Sequence, residues 1–309
     1  MKKKIQIRLG GYGPPETSFS KALKFIGNGL ASEYGDDIEI KYIWNIMDLG
    51  FRGEDILWLV EHGFLTIGYQ STSYLTERVP ELGFVDLPFL FKSNKDARNA
   101  MDGKLGKHLS TLLDNQINYK TLGFFENGFR HISNRLKPIR SPKDLKNMRI
   151  RVLPSEVQAR TFQLMGAQPV ILDLSEAIEG IKKETLDAQE NPFANTVTYG
   201  VHKFHPYHTM SKHFYISRAL MMHRTTYYSL PDEIKDSLME LTNQSIKQQR
   251  KEAEKEVVKS KRLIEEEGCQ IVELTSNEER KFSDCVKPQL LEARKNFGNT
   301  MFKMLENLE

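Results

Sequence analysis

Residues 145–192, LKNMRIRVLPSEVQARTFQLMGAQPVILDLSEAIEGIKKETLDAQENP, constrain the fold more than any other stretch. MRIRVLP reads as a strand that ends on a proline. A helical segment over 155–165 follows, then the strand QPVILDL. An amphipathic helix over 175–183 and a last short strand lead into the turn Gln189-Glu190-Asn191-Pro192. Apolar runs of strand length alternating with helical periodicity make a βαβαβ unit, and such a unit requires a parallel sheet. Arg151 stands at the end of the first strand and Asn191 at the end of the last. Ligands of α/β sheets sit at strand ends, so these two positions are predicted to face one hole.

The same grammar runs through the first hundred residues. Strands are predicted over 5–9, 38–44 and 64–69, with helices over 18–34 and 54–62. Polar loops follow the strands: Gly10-Gly11-Tyr12-Gly13-Pro14-Pro15 after the first, Gln70-Ser71-Thr72-Ser73-Tyr74 after the third. The apolar run LGFVDLPFLF over 82–91 is predicted to cover the core. Helices over 95–101 and 104–116 precede a strand over 120–125. Glu126-Asn127-Gly128 then looks like a hinge before a new strand at 130–133. A strand over 212–219 crosses back. Residues 231–267 read as one helix, about 50 Å long at about 1.5 Å per residue, and long enough to run along two domains. Its apolar positions are too sparse for coiled-coil heptads. A strand at 271–274 and a helix over 278–308 complete the chain.

A chain of 309 residues is comfortable as two domains of about 100–200 residues each. Its 44 basic and 41 acidic side chains are interspersed. A nucleic-acid-binding surface would gather them into a stripe, so no nucleic-acid partner is expected. No run approaches the roughly 18 apolar residues of a membrane span. MKKKIQIRLGG begins like a signal peptide but lacks the apolar run of about 7–15 residues that must follow. The reading is a cytoplasmic protein, or one whose export signal has been replaced by a start methionine.

Tempting motifs dissolve on inspection. The Gly10–Pro15 loop has no GK[ST] or GxGxxG, so it is read as a tight strand-to-helix turn, whose backbone N–H groups still suit an oxygen-rich ligand. His202, His205, His208 and His213 have metal-like spacing but no accompanying Cys or carboxylate cluster. They are read as incidental histidines on a helix or loop rim, and neither metal nor cofactor is expected. Cys269 and Cys285 form no CxxC pair and are expected to be free thiols, a disulfide being the alternative in an oxidising compartment. No GxSxG or HExxH occurs, consistent with binding rather than catalysis.

One constellation remains, and its order and spacing carry a resemblance. Gly128-Phe129-Arg130…Ser133-Asn134-Arg135 comes first, then Asp144-Leu145-Lys146…Ile150-Arg151-Val152. Met165-Gly166-Ala167-Gln168-Pro169, Ser175-Glu176 and Gln189-Glu190-Asn191-Pro192 follow. Together they resemble the DctP-type solute-binding proteins of TRAP transporters (tripartite ATP-independent periplasmic transporters), over essentially the whole chain. The resemblance implies an α/β, two-lobed periplasmic-binding-protein (Venus flytrap) fold with a long helix spanning both lobes. Lobe I would take 1–126 plus about 215–253, and lobe II 127–214 plus about 254–309. It implies a periplasmic monomer that captures a small organic acid by hinge closure and passes it to a TRAP membrane permease. The alternatives are a ligand-sensing receptor domain of the same fold and an α/β enzyme acting on a small organic acid.

By the same resemblance, Arg151 pairs with the ligand carboxylate. Arg130, Asn191 and Ser155 lie nearby, and Gln70, Ser73 and the turn holding Tyr12 supply the other lobe's contacts. Leu174 stands where some members pack an aromatic residue on the ligand. Ser73 occupies a position that is basic in sialic-acid binders, which argues for a smaller carboxylate. Physical chemistry agrees about Arg151, because a planar guanidinium fork matches a carboxylate in a way that a lysine cannot.

Overall fold

The computed structural model describes residues 4–305. Residues 1–3 of the basic start and 306–308 of the predicted last helix lie outside them. Its strands in chain order are β1 (Ile5–Gly10), β2 (Ile38–Ile43), β3 (Ile67–Ser71), β4 (Tyr119–Phe129), β5 (His131–Asn134), β6 (Arg149–Val152), β7 (Gln168–Ile171), β8 (Ala188–Asn191), β9 (Tyr207–Thr209), β10 (Tyr215–His223) and β11 (Gln270–Val272).

The chain packs as two compact units. Unit 1 contains the residues up to Thr72, Gly106–Glu126 and Ser217–Glu254; unit 2 contains Ser73–Leu105, Asn127–Ile216 and the chain from Lys255 onward. The sequence reading runs lobe I unbroken from 1 to 126, whereas Ser73–Leu105 packs with unit 2. The reason is apolar: in unit 2 the Phe84 ring stands edge-on to Phe297, 5.7 Å between centroids, and to Phe302 at 4.9 Å.

Unit 1 is built on a sheet of order β2-β1-β3-β10-β4. β1 pairs in parallel with β2 and β3, and β10 runs antiparallel to β3. The helix Ser18–Tyr34 forms where predicted, because Thr17 caps it by accepting from Ser20 N–H and because Phe19, Leu23, Ile26 and Leu30 fall on one buried face. Each such burial stabilises by about 1.5–3 kcal/mol.

Unit 2 holds the predicted βαβαβ stretch in a sheet of order β11-β9-β5-β8-β6-β7. β6 is parallel to both β7 and β8, while β5 runs antiparallel to β8 and β9. Ile150, Val152, Phe162, Phe214 and Phe282 meet in its core.

Several boundaries differ from the sequence reading. β3 begins three residues later than predicted and takes in Gln70 and Ser71. β4 runs straight through Glu126-Asn127-Gly128, which looked like a hinge. Gly128 takes φ 90°, a conformation open to glycine without strain, so the strand bends without ending. The predicted C-terminal helix is two helices, Ser276–Cys285 and Lys287–Lys303.

The long helix, Asp232–Glu266, is unbroken. Its apolar positions looked sparse because polar side chains complete its buried stripe. Ser245 donates to the Ala22 carbonyl at 3.1 Å, and Gln249 bonds both the N–H and the C=O of Glu126, at 2.9 and 2.8 Å.

Candidate functional site

Arg151 lies on β6, within unit 2, and is buried. Its Nε donates to the Leu172 carbonyl at 2.9 Å and its Nη2 to the Tyr74 hydroxyl at 3.0 Å. Both acceptors are neutral, and no carboxylate pairs with Arg151 among the described residues. Asp173 is near enough to feel its charge, but that carboxylate is spent on capping the helix Leu174–Lys182, accepting from Ser175 N–H and Oγ at 3.0 and 2.7 Å. Burial pushes the Asp173 carboxyl up; the Ser175 and Leu174 bonds and the Arg151 charge outweigh it, leaving the group below its ordinary range.

Arg130 is equally buried but engaged. It grips Glu190 through Nε and Nη2, and Nη2 reaches the Glu190 carbonyl as well, at 2.7 Å. His213 Nε2 lies 3.5 Å from the same carboxylate. Burial alone would raise the Glu190 carboxyl, yet Arg130 and His213 hold it below its usual range. Arg130 therefore has its counter-ion built in, and Arg151 does not.

Asn191 belongs to β8, a strand of four buried residues. Its amide donates to Gln189 Oε1 at 2.7 Å, and its oxygen accepts from Asn195 at 3.3 Å; Asn195 also reaches Asn127 at 3.1 Å. Leu174 is buried at the start of its helix. Ser155 caps the helix Glu156–Leu164. Ser73, expected in lobe I, belongs to unit 2, where its hydroxyl donates to Asp86 at 2.7 Å and accepts from Gln158 at 2.9 Å.

In unit 1, Gln70 has both amide ends occupied, donating to the Gly53 carbonyl at 2.8 Å and accepting from Ser71 N–H. Tyr12 forms a bridge with Asn45, and its ring centre lies 5.2 Å from that of Tyr69. The sequence reading missed Arg218 on β10. It is buried, with its guanidinium carbon 3.9 Å from the Phe19 ring centre and 4.9 Å from that of Tyr12. The signal was present as a lone basic residue in the apolar run YISRALMMH.

The histidines are not on a rim. His202, His205, His208 and His213 are buried in unit 2, and His208 lies on β9, a strand absent from the sequence reading. Burial pushes His205 down to about 3 and His208 to about 4, so both rings are neutral at ordinary pH. His205 Nδ1 lies 3.0 Å from Ser133 Oγ, and His202 Nε2 lies 3.1 Å from Glu267. Among the described residues no three His, Cys, Asp or Glu side chains are grouped to hold a metal. Cys269 and Cys285 are separate thiols.

A cavity of about 650 Å³ opens within unit 2, lined by Tyr74, Pro154 and Ser155 and by the carboxylates Glu77, Glu81 and Glu156. Three carboxylates make it a poor home for an anion, so the carboxylate-binding candidate is Arg151 itself.

The family model for bacterial extracellular solute-binding proteins, family 7 (DctP), matches residues 17–296. The chain belongs to this family. A solute-binding protein from Verminephrobacter eiseniae is 24% identical over 250 residues, 81% of this chain and 74% of its own. A sugar acid binding protein from Advenella mimigardefordensis, solved with galactonate, has the same fold, with a TM-score of 0.93 at 24% identity over 100% of this chain and 99% of that one. A TRAP periplasmic solute binding protein from Shewanella oneidensis, solved with succinate, gives 0.93 at 21% identity over 99% of each chain. DctP proteins are solute receptors, and both neighbours hold an organic acid.

Proposed function

We propose that this solute-binding protein captures a small organic acid in the periplasm, Arg151 taking the carboxylate, and hands it unchanged to the membrane permease of a TRAP transporter. The observation that carries the ligand reading is the state of Arg151, a buried guanidinium bonded, among the described residues, to a carbonyl and a phenol and to no carboxylate. A buried charge without a counter-ion is costly, and an incoming carboxylate relieves that cost with paired, charge-assisted bonds. The galactonate and succinate bound by the two neighbours support an acid as the class of ligand. Asn191, Ser155 and Leu174, all of unit 2, would surround the acid.

The test is calorimetry with galactonate and succinate on wild type and on Arg151→Ala. Loss of at least a hundredfold in affinity, with the unfolding curve of the free protein retained, is expected. Unchanged affinity would sink the assignment. A thermal-shift screen should show the preferred acid raising the melting temperature by an increment that grows with the logarithm of its concentration once above Kd, since it binds the folded state. A response to neutral sugars alone would remove the carboxylate from the reading.

A further inference from the structure

Tyr74, the phenol that meets Arg151, is held by its neighbours rather than by its own bonds alone. On one side Ser73 Oγ donates to Asp86 Oδ1 at 2.7 Å and accepts from Gln158 Nε2 at 2.9 Å. On the other, Thr76 Oγ1 lies 2.9 Å from the Ser73 carbonyl and 3.0 Å from the Pro154 carbonyl, three residues beyond Arg151. The turn Thr72–Leu75 is thus clamped at both ends, with the Tyr74 hydroxyl aimed at Arg151 Nη2.

The centre of this clamp is expensive. Asp86 is fully buried on the segment Pro80–Asp86. Asp86 Oδ2 and Gln158 Oε1 are both buried acceptors without a hydrogen-bond partner. Burial pushes the Asp86 carboxyl up to about 6 against the opposing pull of Ser155, Ser73, Gln158 and the Arg130 charge. Replacing a buried, poorly compensated charge by an apolar group of similar volume is often neutral or stabilising. A carboxylate kept here at a cost to stability needs another explanation.

We propose that Asp86 is a positioning residue: through Ser73 it fixes the Tyr74 hydroxyl against Arg151 and so sets the geometry of the carboxylate site. Arginine has only donors, so the phenol oxygen accepts from Nη2 and its own proton points elsewhere, available to an oxygen of the acid docked beside Arg151. Misplacing that hydroxyl by an ångström forfeits the bond. The inference rests on the Arg151 reading above.

A mutant cycle tests it, with galactonate and succinate as calorimetric probes. Asp86→Leu should weaken binding of the preferred probe about tenfold, and Tyr74→Phe should do the same. The double variant should be no weaker than either single one, because both changes remove one link. Asp86→Asn keeps an acceptor for Ser73 and should stay within about threefold of wild type. In urea at pH 8, Asp86→Leu should be at least as stable as wild type, so affinity and stability move in opposite senses. If Asp86→Leu does not fold, Ser73→Ala cuts the same link from the other side and carries the cycle.

A double variant weakened about a hundredfold would overturn the proposal, as would an Asp86→Asn protein as impaired as Asp86→Leu. An Asp86→Leu protein that folds but loses stability together with affinity also overturns it. Failure of the site reading looks different: Arg151→Ala then keeps its affinity, or wild type binds neither probe.

Discussion

Two buried arginines, one in each unit, have different surroundings. In unit 1 the buried Arg218 lies over aromatic faces, Phe19 and Tyr12, so its charge meets the negative face of ring quadrupoles. In unit 2 the buried Arg130 is held instead by hydrogen bonds and opposite charge, through Glu190 and His213. The first arrangement tolerates small displacements, because a cation over a ring has broad geometry. The second fails when one member is lost, because the remainder is left buried and unpaired. Unit 2 is therefore the half whose stability should respond to protons and to single polar substitutions.

Acid should separate the units most strongly. His131, His205 and His208 are pushed by burial to about 3, about 3 and about 4, against an ordinary value near 6.5. A histidine lowered in the folded state binds protons only when unfolded, so its contribution is intact above about pH 6.5 and is lost as pH falls below it. Asp86, raised to about 6, works in the opposite sense and regains stability as pH falls through 6. Together these groups should lower the unfolding free energy by about 4 kcal/mol between pH 7 and pH 5. Hydrogen exchange should locate the loss in unit 2; uniform loss over both units would erase the contrast.

A single substitution in unit 2 should come next. Glu190→Leu strands the Arg130 guanidinium in a buried site and should cost about 3–5 kcal/mol in urea unfolding. A cost below about 1 kcal/mol would mean that Arg130 finds water or another partner. The smallest effect is expected in unit 1. Phe19→Leu keeps most of the volume but removes the ring beneath Arg218, and should cost about 1–2 kcal/mol. If this exceeds the Glu190→Leu penalty, the aromatic seat is the more brittle of the two.

What could be read from the sequence follows from how local its cause is. The helix Ser18–Tyr34 was legible to the residue because its cap, Thr17, and its apolar spacing are written in neighbouring positions. Arg151 was singled out by its place at a strand end and by the order of the motifs around it, and its burial was not legible from the strand alone. Arg149, two residues earlier on the same strand, pairs with Asp187 at 2.8 Å and is 40% exposed, an outcome set by a partner 38 residues away. The same limit hid the rest. Glu126-Asn127-Gly128 carries turn chemistry, yet ladder pairing keeps it in β4. The histidines looked peripheral because β9, three residues long, is a strand only by virtue of β5 and β11 on either side. Ser73 looked like part of lobe I because it follows β3 in the chain; its hydroxyl answers to Asp86.

The division of the chain into interleaved segments has a consequence in time. Strand β3 finds its partner β10 only when residues 67–71 meet 218–222, and β9 pairs with β11 only when 207–209 meet 270–272. A ribosome must have made more than two thirds of the chain before unit 1 can close its sheet, and nearly all of it before unit 2 can. Neither unit can be born as a finished domain ahead of the other. Such long-range pairing slows folding, because loop closure must precede the contacts that reward it. The nascent chain thus stays open through most of its synthesis, and both halves mature late and together.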